Sequence, residues 1–83
     1  MKFTVYSKYG CPYCTKILAI LNHLSIEKGF QVVEYTLGSQ FNKQEFYNQF
    51  GEGSTFPQVV LNDNTNLGGC SDTIMYLKNQ KVI

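Results

Sequence analysis

A Cys-Pro-Tyr-Cys tetrapeptide at residues 11–14 separates an alternating β segment from an amphipathic helix. The segment KFTVYS (2–7) is rich in β formers and puts Phe3 and Val5 on one face of a strand. Tyr9 and Gly10 break it. Pro12 suits the first position of a helix, where no amide donor is needed. Over residues 12–29, Ile17, Ile20, Leu21 and Leu24 recur at the helical spacing and form one apolar stripe. Lys28 followed by Gly29 is a helix-end signal. FQVVEYTL (30–37) returns to a strand. Strand, helix and strand in immediate succession predict a parallel pair joined by a crossover helix.

The remainder continues in short units. NKQEFYNQF (42–50) predicts a helix with Phe46 and Phe50 on one side, and GEGSTFP (51–57) a loop. QVVLN (58–62) is a strand, DNTN (63–66) carries a turn, and TNLGG (65–69) makes the short return strand. CSDTIMYLKNQ (70–80) closes the chain as a helix, with Ser71 and Asp72 suited to its start and Ile74 and Leu77 to the core. The predicted order is β-α-β-α-β-β-α, an α/β fold. Its four-stranded mixed sheet is flanked by three helices, enough to cover both faces.

A chain of 83 residues builds one core, so a single domain over 1–83 is expected. Three cysteines allow one intramolecular disulfide at most, and the odd count points to a reducing compartment. The opening MKFTVYSKYG lacks the apolar stretch of a secretory signal. No apolar run approaches the roughly 20 residues that span a bilayer. A cytoplasmic location is therefore expected. Net charge is +1 and the lysines are scattered, so neither nucleic acid nor a membrane surface is expected as a partner.

The cysteine pair sits where chemistry is cheap. Cys11 stands at the N-terminal edge of the first helix, where backbone N–H groups lack intrahelical partners and the macrodipole adds roughly half a positive charge. Both favour thiolate over thiol, and Lys8 lies near enough in sequence to add to them. The Cys11 pKa is expected below the free value of about 8.5. Cys14, one turn further in, is expected to be less exposed. Cys11 then attacks and Cys14 resolves. Full ionisation at neutral pH gains roughly 30-fold in thiolate. Nucleophilicity falls with pKa, so a drop of ~3.5 units loses a comparable factor. The benefit comes when Cys11 leaves from a mixed disulfide.

Other readings of the pair are weaker. Zinc usually takes four ligands, and Cys70 and His23 are the only further cysteine and histidine. A structural disulfide closing so short a loop would stabilise little. His23 is read as a surface residue at the edge of the apolar stripe.

The residues between the cysteines choose a family. CPYC (11–14) resembles the dithiol glutaredoxin motif, whereas thioredoxins usually carry Gly-Pro there. TFPQV (55–59) resembles the family's Thr-Val-Pro loop with Phe in place of Val, and GGCSD (68–72) matches its Gly-Gly-x-Thr/Ser-Asp signature. The motifs occur in the expected order, and the likeness, to small bacterial and viral glutaredoxins, covers essentially the whole chain.

The resemblance implies a thioredoxin-like fold and a glutathione-dependent disulfide reductase, with Cys11 and Cys14 as the catalytic dithiol. It implies a cis bond before Pro57, with the backbone of Phe56 pairing with the cysteinyl part of glutathione in the manner of an added strand. The γ-glutamyl carboxylate falls to Ser71 and Asp72 at a helix start, and Asp72 can meet the ammonium. The glycyl carboxylate falls to Lys8 and, by spacing, to Gln44. Tyr13 flanks the sulfur, which is taken as exposed, and Thr55, Gly69 and Cys70 complete the implied groove. Cys70 has two readings: packing as a small hydrophobe, or a third redox-active thiol.

The expected partners are glutathione and disulfide-containing or glutathionylated proteins, with ribonucleotide reductase as an electron acceptor. The expected state is a monomer without metal. Two rivals stand beside this reading. One is a reductase served by thioredoxin reductase, against which the Pro-Tyr pair speaks. The other is a module holding a [2Fe–2S] cluster between two chains, which the proline of CPYC disfavours.

Overall fold

The computed structural model describes residues 1–62 and 64–83. Its elements are β1 (Lys2–Ser7), α1 (Pro12–Lys28), β2 (Gln31–Thr36), α2 (Lys43–Phe50), β3 (Gln58–Leu61), β4 (Thr65–Gly68) and α3 (Cys70–Asn79). This is the predicted order, and the architecture is the thioredoxin-like arrangement of a mixed four-stranded sheet with three helices. Asp63, in the turn expected between β3 and β4, lies outside the described residues.

The strand order is β2-β1-β3-β4. β1 pairs parallel with β2, from Lys2 opposite Gln31 to Ser7 opposite Thr36. Parallel neighbours need a crossover, and α1 supplies it. β1 pairs antiparallel with β3, placing Phe3 opposite Leu61 and Val5 opposite Val59. β4 returns antiparallel to β3, with an irregularity between Val59 and Val60.

Alternation along these strands divides the molecule into two faces. Phe3, Val5, Val59 and Leu61 point to one face, where they meet Ile17, Leu21 and Leu24 of α1 and Leu77 of α3. The opposite face is aromatic. Tyr6 meets Tyr35, Phe41 and Phe50 with ring centroids 5.4, 5.2 and 4.9 Å away. Phe46 of α2 lies 5.0 Å from Phe50 and is fully buried, so α2 is docked through the side its two phenylalanines share.

The helix ends follow the expected signals. Pro12 opens α1, and Gly29 closes it in the left-handed region (φ 76°), its N–H donating to the Ser25 carbonyl at 2.9 Å. Several element ends shift by one residue, and α2 and β2 show why. Asn42 is the cap of α2 rather than its first residue: its side chain accepts from the Glu45 N–H, and the Glu45 carboxylate accepts from the Asn42 N–H, both at 2.9 Å. β2 is shorter than its apolar run, since Phe30 packs on Phe3 at 4.9 Å and Leu37 bridges to Phe41 in a turn.

The two faces of α1 give a direct test of this packing. Ile17 is fully buried and Ile26 is 86% exposed. Ile17→Ala is expected to lower the unfolding free energy by about 2–5 kcal/mol, and Ile26→Ala by under about 0.5 kcal/mol, in urea denaturation.

Candidate active site

The dithiol is built into the start of α1. Cys11 has extended backbone (φ −108°, ψ 101°) and serves as the helix cap, its sulfur accepting the Cys14 N–H at 3.2 Å. Its carbonyl takes the first helical bond, from Thr15 N–H at 3.1 Å. The two cysteines are joined as a disulfide, with Cα atoms 5.2 Å apart. Cys14 is 2% exposed and Cys11 8%. The expected ranking holds, but Cys11 is itself buried rather than exposed. In this oxidised form its sulfur turns over the helix end to meet both the Cys14 amide and the Cys14 sulfur.

Two segments distant in sequence converge beside it. The loop before β3 contributes Thr55, Phe56 and Pro57, joined by a cis Phe56–Pro57 bond. The β4–α3 junction contributes Gly69, Cys70, Ser71 and Asp72. With Tyr13 from α1, these residues line a groove of about 230 Å³. All eight belong to the set implied by the motifs. In α3 the first amide to bond back is that of Thr73, to the Gly69 carbonyl at 3.0 Å, so the amides before it point out of the helix end.

The two remaining members of the implied set lie elsewhere. Gln44 is on the exposed side of α2, where its amide donates to Asn48 Oδ1 at 2.9 Å, and it does not border the groove. Lys8 reaches the groove indirectly, with Nζ 5.3 Å from the Phe56 ring centroid. Lys8 also borders a cavity of about 370 Å³ on the Cys14 side of the dithiol, together with Ser7 and Glu34. There the buried Ser7 hydroxyl donates to Glu34 Oε2 at 2.8 Å.

The Glutaredoxin family model matches residues 3–65. The chain belongs to the glutaredoxin family. It is similar to Glutaredoxin 1 of Rickettsia prowazekii, at 34% identity over 68 residues, covering 82% of this chain and 68% of the relative. It is similar to Glutaredoxin-1 of Ectromelia virus, at 32% over 75 residues, covering 88% and 68%. Among solved structures it matches oxidised Escherichia coli glutaredoxin with a TM-score of 0.77, 26% identity and 94% of both chains covered. This glutaredoxin is thus a thiol–disulfide oxidoreductase, with its cysteine pair placed at the β1–α1 junction.

The third cysteine of this glutaredoxin has a different setting. Cys70 is free, 6% exposed and part of the main core. Burial pushes its thiol pKa up, and the Lys16 ammonium offsets part of that rise. Those surroundings favour the packing reading over a third redox-active thiol. Among the described residues, no cluster of three or more His, Cys, Asp or Glu side chains is disposed to hold a metal ion.

Gly68 is a site residue that sequence reasoning passed over. Its φ is +101°, and a Cβ there would meet Asp72 Oδ2 at 2.5 Å. The doubled glycine of GGCSD was the available signal. The close approach leaves the Asp72 carboxylate free to accept the Gly69 N–H at 3.1 Å. At Gly69 an added Cβ would meet only the Pro57 carbonyl, at 3.6 Å. Gly68→Ala is therefore expected to cost at least about 1 kcal/mol and Gly69→Ala less, by denaturant midpoint.

Proposed function

We propose that this chain uses glutathione to reduce protein disulfides and glutathione mixed disulfides. The observation that carries the reading is the groove beside the dithiol. One of its walls is the Thr55–Pro57 loop, where the main chain of Phe56 can pair with a peptide, and the other is the start of α3. A γ-glutamyl carboxylate suits the outward amides there. The Asp72 oxygen not engaged with the Gly69 N–H suits an ammonium. Tyr13, 62% exposed, would cover the bound thiol.

The electron flow follows from thiol–disulfide exchange. The Cys11 thiolate attacks the glutathione sulfur of a mixed disulfide, the old S–S bond breaks, and the substrate leaves as thiolate and takes a proton. A second glutathione thiolate then attacks the Cys11–glutathione bond. It releases Cys11 as thiolate and departs as oxidised glutathione. With a protein disulfide the substrate becomes tethered to Cys11. The Cys14 thiolate frees it, giving the Cys11–Cys14 disulfide, which two glutathiones reduce. Ribonucleotide reductase, which must regain a dithiol after each turnover, is proposed as one acceptor on the family resemblance. A cytoplasmic location, supported by the odd cysteine count, and a monomeric state complete the reading.

The two reactions separate the cysteines. Cys14 competes for the tethered substrate at an effective concentration that dissolved glutathione cannot match. Cys14→Ser is expected to keep most deglutathionylation while losing most reduction of protein disulfides. Cys11→Ser loses both, and Cys70→Ser changes neither by much. Activities are read with glutathione, glutathione reductase and NADPH, beside a parallel assay with thioredoxin reductase. Equal loss of both activities in a folded Cys14→Ser, or turnover with thioredoxin reductase alone, would overturn the proposal.

A further inference from the structure

We propose that Phe56 is a positioning residue: its ring holds the Lys8 ammonium at the mouth of the groove and so raises the affinity for the anionic end of glutathione. The inference rests on the proposed use of glutathione and adds a determinant that the motif does not carry, since Phe56 stands where the resemblance places valine.

The geometry around the ring is specific. Phe46 stacks on Phe56 with centroids 4.1 Å apart and planes 9° from parallel, and Phe41 adds a second near-parallel ring at 6.1 Å. A ring stacked so closely on one face has the other to offer a cation. Lys8 Nζ lies over Phe56, 5.3 Å from its centroid, within the range of cation–π attraction. A valine at this position would have no π face and could not stack.

Lys8 needs such a restraint. It lies in the exposed turn between β1 and α1, and its ammonium is a mobile point charge on a flexible stem. The cavity it borders on the other side contains Glu34, a competing carboxylate. The Phe56 ring biases the ammonium toward the groove and away from that competitor. One residue thereby does two tasks: its main chain is placed to pair with the middle of the tripeptide, and its side chain places the charge for one end. Anchoring the ring on Phe46 makes the position of Lys8 depend on the docking of α2.

The test is a mutant cycle with glutathione as the varied substrate and a small mixed disulfide as the other, in wild type, Phe56→Leu, Phe56→Tyr, Lys8→Ala and the Lys8→Ala/Phe56→Leu double variant. Leucine keeps apolar bulk against Phe46 and removes the π face; tyrosine keeps both. Phe56→Leu is expected to raise the KM for glutathione about two- to fivefold with kcat little changed, the scale of an exposed cation–π contact. Phe56→Tyr should stay near wild type, and the leucine effect should vanish when Lys8 is already alanine. NMR supplies a readout that needs no ligand: the Lys8 ε-methylene protons should be shifted upfield by the ring in wild type and return to ordinary positions in Phe56→Leu. An unchanged KM in Phe56→Leu, an equal rise in the Lys8→Ala background, or no ring shift in wild type would overturn the inference while leaving glutathione use intact. A wild type that does not turn over with glutathione would overturn the underlying reading instead.

Discussion

The Cys11 sulfur occupies the capping position of α1 and accepts the Cys14 amide. An ordinary cap is Ser, Thr, Asp or Asn, whose oxygen takes a free N–H of the first turn. Here sulfur does that work, so the structural demand of a helix end and the chemical demand of a reactive thiol fall on one atom. On reduction, the same donor and the same helix end face a sulfur that can carry charge. Pro12 fits this design because it starts the helix without needing an acceptor. Cys14 lies one turn inside, on the buried side. The asymmetry between the two cysteines is thus a consequence of where the helix begins.

The rest of the fold brings recognition surfaces to that end. β1 ends at the dithiol and is flanked by β2 and β3. β3 begins immediately after Pro57, and β4 delivers Gly68 and Gly69 to the start of α3. Sheet pairing therefore sets the spacing between the loop wall and the helix wall of the groove. The aromatic face opposite the main core does a second job. Its contacting rings run from Tyr6 edge-on to Phe50, through a tilted contact to Phe46, and by stacking to Phe56, linking the docking of α2 to the loop beside the cysteines.

Much of this was legible in the sequence because the signals are local. Pro12, Lys28 and Gly29 delimit α1, and the alternation of Phe3 and Val5 sets the face of β1. The three motifs name eight residues that the fold gathers into one groove. Gln44, assigned by spacing alone, lies outside that groove. It precedes Phe46 by two positions, about 200° around a helix, so the inward phenylalanine turns it outward. The buried state of Cys11 was not readable, because it is set by segments packed around the helix end and not by the local CPYC pattern. The position of Lys8 over Phe56 depends on a ring stack assembled from residues 41, 46 and 56, and no local pattern encodes such a choice of side-chain partner.

The end of α1 is expected to make Cys11 the reactive thiol, and alkylation of the three cysteines reads this out. Reduced protein is treated briefly with iodoacetamide across a pH series, and the labelled cysteine is identified by mass spectrometry. The expected result is modification confined to Cys11, with a midpoint well below the free-thiol value of about 8.5, while Cys14 and Cys70 stay unlabelled. A Cys11 midpoint at the free-thiol value, or equal labelling of Cys11 and Cys14, would contradict it.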